Sequence, residues 1–122
     1  MSSANDQLPL TVTVCTLDEE GNLPDCLASI IKERPREVIV VDGGSEDATC
    51  AIAVSFGVRV IDAGRKGLAH QRKTGVDAAT EKYIALIDAD HRPQPGSFRT
   101  LIEDLENNNY TGIEAQIHSV QN

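Results

Sequence analysis

Two carboxylates one residue apart, Asp88 and Asp90, follow directly on the apolar run Tyr83-Ile84-Ala85-Leu86-Ile87. If the chain stays extended there, alternation puts both side chains on one side of the strand. Two oxygens so placed suit a hard cation such as Mg²⁺ or Mn²⁺, which completes its shell with substrate phosphate and water. The spacing alone is a weak sign in an acidic chain, because Asp18 with Glu20 and Asp104 with Glu106 repeat it. Only Asp88-Ala89-Asp90 closes a buried type of strand. The bland alternative is that Asp90 caps a turn before Pro93 and Asp88 is merely solvated. His91 is open to two readings as well, a metal or phosphate contact or an idle exposed side chain.

Further polar groups gather after other apolar runs. Thr16, Asp18, Glu19 and Glu20 follow the first, and Asp42 closes the second. Gly43-Gly44 reads as a tight turn that needs positive φ, and two glycines would also let a ligand approach the backbone. No G-x-x-x-x-G-K-S/T or G-x-G-x-x-G phosphate loop is present. Arg65, Lys66, His70, Arg72 and Lys73 form the one dense basic cluster. Most of it reads as a solvated helix face. Arg72 is the exception, falling on the apolar side of its helix with Leu68, Gly75, Val76 and Ala79. A buried arginine needs a carboxylate or phosphate partner, and Asp88, Asp90 or a bound diphosphate would serve. No nucleophile elbow is visible, and no cysteine stands in an electropositive setting.

These groups need a scaffold, and the 122-residue chain is long enough for one domain with one core. Aromatics make up only 3%, so Val, Ile, Leu and Ala must build that core. With 11 basic against 19 acidic residues, the formal charge is -8. Such a surface repels a nucleic-acid backbone, and any anionic substrate needs a local cation. Cys15, Cys26 and Cys50 lie among apolar residues without a C-x-x-C pair, which reads as three buried, reduced thiols of a cytoplasmic protein. No signal peptide or bilayer-spanning run is visible. Residues 1–8 are expected to be a disordered tail, leaving 9–122 as the folded part.

Apolar runs at 10–15, 38–41, 58–61 and 83–87 read as strands. Helical patterns lie between them. The first runs over 22–33 and ends at Pro35; the second is capped by Ser45, with Glu46 and Asp47 in its first turn, and ends at Gly57. The third runs over 66–79, and the fourth opens at Pro95 with Phe98, Leu101, Ile102 and Leu105 along one side. Residues 112–118 are a candidate fifth strand. Strand and helix in alternation predict right-handed crossovers and a mainly parallel sheet with helices on both faces, an α/β/α architecture. Ligands of such sheets bind at the carboxyl ends of the strands where the order reverses. Thr11 and Thr13 interrupt the first strand, which is unusual for a central position.

Four segments, in order, resemble the first half of the family 2 glycosyltransferases, which share the GT-A fold, a Rossmann-like one. VTVCTLDEEGNLPDCLASI resembles the opening strand with its P-T-Y/F-N-E turn. EVIVVDGGSEDAT resembles V-V-D-D/G-G-S-x-D-x-T, and GLAHQRKTGVDAAT resembles G-x-x-x-A-R-N-x-G-x-x-x-A. YIALIDADHRPQPGSF resembles the strand ending in D-x-D. Together they cover nearly all of residues 11–105.

The resemblance implies strand order 3-2-1-4, with the reversal between the first and fourth strands. It implies a nucleoside-diphosphate sugar, UDP- or GDP-linked, as donor and a Mn²⁺ or Mg²⁺ ion as cofactor. By position, Thr16, Leu17 and Asp42 would contact the base, with Asp42 accepting from a ring N–H, and Glu19 would hold the ribose. Asp88 would sit by the ribose or a metal-bound water, with Ala89 beside the nucleotide. Asp90 would be the main metal ligand, and Arg72 would steady the phosphates or the acidic pair. Departures from the pattern are Cys15 for Pro, Leu17 for an aromatic, Asp18 for Asn, and Gln71 and Lys73 around Arg72. They bear on which nucleotide binds.

The implied reaction is inverting transfer of the sugar to an acceptor hydroxyl on a glycan, lipid or small molecule, which needs a general base. In the family that base is a carboxylate of the acceptor half, expected beyond Asn122. The expectation is therefore a donor-binding part with little or no transfer activity, from a parent that is cytoplasmic or membrane-associated. It would self-associate through an unpaired sheet edge. The chief alternative is a non-catalytic nucleotide- or metal-binding module. A sugar-phosphate nucleotidyltransferase would want a Gly-rich basic loop where Asp18-Glu19-Glu20 stands. A phospho-receiver domain would leave Asp42 and the D-x-D unexplained.

Overall fold

The computed structural model describes residues 6–108. Eight elements follow one another: β1 (Leu8–Thr16), α1 (Leu23–Lys32), β2 (Pro35–Asp42), α2 (Thr49–Ser55), β3 (Arg59–Asp62), α3 (Leu68–Ala78), β4 (Tyr83–Asp88) and α4 (Ser97–Asn107). The four strands form one parallel sheet in the order β3-β2-β1-β4, as the sequence resemblance implies. The candidate strand at 112–118 lies outside the described residues.

The handedness of the crossovers decides where the helices go. Stepping from β1 to β2 to β3 puts α1 and α2 on one face; returning past them to β4 puts α3 on the other. One core therefore joins Val12, Val14, Val40 and Ile87 to Leu23, Leu27 and Ile30 of α1, Ala53 of α2, and Phe98 and Ile102 of α4. Complete burial of one such aliphatic side chain stabilises by roughly 1.5–3 kcal/mol. Across the sheet, a smaller cluster of Ile39, Val41 and Ala63 packs with Ile61 and Ala78.

Thr11 and Thr13 of β1 are fully buried on this second face. Thr11 Oγ1 donates to Glu37 Oε1 at 2.8 Å, and Thr13 Oγ1 donates to the Ala85 carbonyl at 3.4 Å. With their hydroxyls satisfied, β-branched side chains cost a central strand little. Glu37 also accepts from the Thr80 amide and hydroxyl, each at 3.0 Å. Burial works against its charge, but these hydrogen bonds prevail and hold its pKa below the usual value.

Several boundaries depart from the sequence expectation. β1 begins at Leu8, which is 4% exposed and belongs to the core rather than to a tail. Pro35 does not only end α1; it opens β2, at a first-residue position where proline is tolerated. α2 starts at Thr49, four residues after Ser45: the Ser45 hydroxyl donates to Asp42 and the Glu46 amide to Asp18, while Asp47 accepts from the amide of Thr49 at the helix start and from that of Glu20. Gly57, at φ 77, does follow the end of that helix. Pro95 lies ahead of α4, whose N-cap is Gly96 in the left-handed region at φ 83. Cys15 and Cys26 are buried free thiols, whereas Cys50 is half-buried.

The face of α3 is the largest correction. Gln71 and Gly75 are buried against the sheet, while Leu68 and Val76 are 45% and 40% exposed and the Arg72 side chain is 45% exposed. Close approach decides this. A Cβ at Gly75 would lie 3.0 Å from Thr13 and 3.2 Å from Val41, so the backbone of α3 sits nearly on the sheet.

Candidate functional site

The carboxyl ends of β1 and β4 flank the reversal of strand order, and a cavity of about 370 Å³ opens there. β1 and its turn contribute Cys15, Thr16, Leu17 and Glu19; the start of α3 contributes Gly67, Leu68 and Gln71; the end of β4 contributes Asp88, Ala89 and Asp90. That volume falls in the range of ordinary ligand clefts.

The β4 end is a turn rather than an extension of the strand. The His91 amide donates to the Asp88 carbonyl at 2.9 Å, and Ala89 is buried at 1% exposure. The turn, not strand alternation, gathers the side chains. One ligand atom each from Asp88, Asp90 and His91 lies within 4.8 Å of the others. His91 Nε2 is 3.8 Å from Asp90 Oδ1, and Arg72 is 3.5 Å from Asp88 Oδ1. Arg72 thus has the acidic partner expected of it, but at the exposed mouth of the cavity rather than in the interior. Both contacts are longer than an ordinary hydrogen bond, which leaves acceptor capacity on the two carboxylates.

Asp42 is placed differently. Cys15 pairs with Asp88 and Thr16 pairs with Asp42. Successive residues of β1 face opposite ways, so the two aspartates leave the sheet on opposite sides. Asp42 does not line the cavity. Its carboxylate accepts four hydrogen bonds: from the Thr16 and Ser45 hydroxyls, the Ser45 amide at 2.7 Å and the Gly44 amide at 3.0 Å. Desolvation opposes its charge, yet these donors outweigh it and lower its pKa. An ionised carboxylate offers about four lone-pair sites, and all are in use.

The other acids of the first turn are also occupied. Asp18, at φ 52, accepts from the Glu46 amide at 2.8 Å, and its own amide donates to Ser45 Oγ at 2.8 Å. Glu20 accepts from the Ala48 amide at 2.9 Å, and the Glu19 amide donates to Thr49 Oγ1 at 2.9 Å. The acids after β1 therefore lace two loops together, and Glu19 is the one of the three that reaches the cavity wall.

Two contributors were not singled out as site residues in the sequence. Gln71 Nε2 donates to the Thr16 and Val41 carbonyls at 2.9 and 3.0 Å, fixing the ends of β1 and β2 against α3. A Cβ on Gly43 would come within 2.9 Å of the Gln71 amide oxygen, so the Gly43 position is set by this contact. Cys15 also borders the cavity; burial, and then the charge of Asp88, push its thiol up to about 11 against the opposing pull of Arg72. It is a neutral wall, not a nucleophile. Gln71 could be noticed in the sequence as a departure from a family pattern, but its partners are backbone carbonyls distant in the chain.

A family model described as Glycosyl transferase family 2 matches residues 11–122. An uncharacterized glycosyltransferase of Mycobacterium bovis is 35% identical over 97 residues, 80% of this chain and 44% of that protein. The lipopolysaccharide core biosynthesis glycosyltransferase LpsC of Rhizobium meliloti is 34% identical over 108 residues, 81% of this chain and 37% of its own. The chain thus spans less than half the length of these relatives. Among solved structures, S. aureus TarS superposes with TM-score 0.73 at 19% identity, over 89% of this chain and 38% of that one. Glucosyl-3-phosphoglycerate synthase from Mycobacterium tuberculosis, in complex with Mn²⁺, UDP and glucosyl-3-phosphoglycerate, superposes with TM-score 0.71 at 26% identity, over 79% and 39%. A further structure of that synthase contains Mg²⁺ and UDP. Among the described residues no helix is long and apolar enough to cross a membrane.

Proposed function

Because the chain belongs to glycosyl transferase family 2 and has the GT-A fold, we propose that the cavity between β1 and β4 takes the nucleoside diphosphate of a sugar donor. The whole protein then transfers the sugar to an acceptor hydroxyl with inversion. The observation that carries this reading is the set of carboxylates lining the cavity, with Asp88 and Asp90 on the turn after β4 and Glu19 in the turn after β1. An acidic hollow repels a diphosphate, so a cation must mediate. The synthase that resembles this chain was crystallised with UDP and either Mn²⁺ or Mg²⁺, and the oxygen-rich donor set here suits either ion.

Asp90 and Asp88 would hold the cation, and Glu19 would accept from ribose hydroxyls. Thr16, Leu17 and Ala89 would frame the nucleotide. Bound there, the ion supplies charge neutralisation for the leaving diphosphate. Arg72, now turned to Asp88, is within reach of the same phosphates. Asp42 acts from behind: by fixing Thr16 and the 43–45 turn it shapes the base pocket, and contact with a base N–H would require one of its present donors to give way. Among the described residues, Glu19, Asp88 and Asp90 are the carboxylates lining the cavity, and all three are engaged with donor or metal. The same geometry therefore also fits a unit that binds donor without transfer, and an assay for sugar transfer from a UDP- or GDP-sugar separates the two readings. Copies of the chain would also pair along β4, the outermost of the described strands.

The test is calorimetry with UDP and GDP, with and without Mn²⁺. Nucleotide binding is expected to require the metal and to be lost in Asp90→Ala. Binding that ignores Mn²⁺ and survives this substitution would overturn the assignment.

A further inference from the structure

Resting on the metal reading just given, we infer that His91 is a third protein ligand of the cation at Asp88 and Asp90, and that its imidazole biases the site toward Mn²⁺ over Mg²⁺.

The turn provides the geometry. The hydrogen bond from the His91 amide to the Asp88 carbonyl curls the chain back at 2.9 Å, so His91 returns over the two acids instead of continuing away from them. Immediately beyond, Arg92 is drawn off to Asp25 at 3.4 Å, and Pro93 is buried, which fixes the exit of the turn. His91 is left with its Nε2 3.8 Å from Asp90 Oδ1 and within the 4.8 Å that spans all three ligand atoms. Adjacent ligands around a small divalent ion are about 3 Å apart, given metal–ligand distances of about 2.0–2.2 Å. Rotation of two half-free side chains closes that difference: the Asp90 side chain is 61% exposed and that of His91 37%.

The donor type gives the selectivity. Mg²⁺ holds its waters and prefers oxygen in a strict octahedron. Imidazole nitrogen stabilises d-block divalent ions, Mn²⁺ least among them, and stabilises Mg²⁺, which holds to oxygen, still less, so a mixed oxygen and nitrogen site leans toward Mn²⁺ of the two. Two carboxylates alone would discriminate little between the ions.

Pulsed electron paramagnetic resonance of the full chain loaded with Mn²⁺ reads the ligand directly, because a coordinated imidazole modulates the electron-spin echo through its nitrogen. The modulation is expected in the native chain and in His70→Ala, and is expected to vanish in His91→Ala. Calorimetry with the metals alone should show His91→Ala weakening Mn²⁺ about tenfold while Mg²⁺ changes less than about twofold. If the nitrogen modulation is absent, or persists in His91→Ala, while Asp90→Ala still abolishes Mn²⁺ binding, the role of His91 is refuted and the two-carboxylate site stands. If Asp90→Ala leaves Mn²⁺ binding intact, the metal reading itself falls and this inference falls with it.

Discussion

Asp42 closes an interior strand and Asp88 the outermost described one, and their surroundings differ sharply. Asp42 has four donors and a lowered pKa, whereas Asp88 meets an arginine across 3.5 Å at the cavity mouth. A folded-state pKa below the ordinary 3.8 means that Asp42 adds stability above that pH, and loses it as the pH falls through the lower folded value. Asp42→Asn should therefore melt at a lower temperature than the native chain at neutral pH. The two melting curves should converge only as the pH falls below the ordinary 3.8 and through the lower folded value, where the native carboxylate protonates, a comparison accessible to circular dichroism. Parallel curves at all pH values would contradict the assigned role. The difference between the two aspartates is not legible in the sequence, where each simply ends an apolar run. It depends on register: pairing with Thr16 turns Asp42 toward the loops, and pairing with Cys15 turns Asp88 toward α3. The closeness of Asp88 and Asp90 was legible, but for a reason the structure replaces, since a turn and not an extended chain brings them together.

At the scale of elements, the four strands announce themselves because short runs rich in Val, Ile, Leu and β-branched Thr, bounded by polar residues and turns, have few alternatives. Helices α1 and α4 do so through a strong one-sided apolar pattern, with Leu23, Cys26, Leu27 and Ile30 buried in one and Phe98 and Ile102 in the other. α3 lacks that pattern. Its apolar side chains Leu68 and Val76 face outward, and its inner face is Gln71 and Gly75, whose fitness lies in hydrogen bonds and closeness to β1 and β2, not in hydrophobicity. No local period reveals such a face. α2 misleads for a related reason: Ser45 looks like the cap but donates to Asp42, and it is Asp47 that accepts from the amide of Thr49, the first helical residue. If α3 is seated by its glycine, Gly75→Ala should destabilise by about 1–3 kcal/mol through overpacking, although alanine is the better helix former. Urea denaturation measures this, and a stabilised variant would show that α3 has room to move. Since α3 also carries Gln71 and Arg72 to the cavity, the same variant should weaken nucleotide binding.

On the scale of the whole molecule, the sheet is asymmetric at its site-bearing side. β4 is the outermost strand among the described residues, with Ile84 and Leu86 on the α3 face at 39% and 47% exposure. Register places Ile84 beside Thr11 and Leu86 beside Thr13, so both lie on the face from which Leu68 and Val76 of α3 also protrude. An edge strand presents backbone N–H and C=O groups to any chain able to pair with them, and apolar side chains next to it reward the contact by their removal from water. A second copy of the 122-residue chain offers the same edge and the same apolar strip, which makes a self-complementary pairing about a twofold axis available. The acidic surface, at a formal charge of -8, opposes it, so association should strengthen as salt screens the repulsion. Light scattering after size exclusion should then give a mass above the 13.1 kDa of one chain at about physiological ionic strength. Leu86→Lys should return the monomer, since a charge beside an edge strand is the ordinary device against such pairing. A native chain that stays monomeric at every salt concentration would show that this edge does not recruit a second copy.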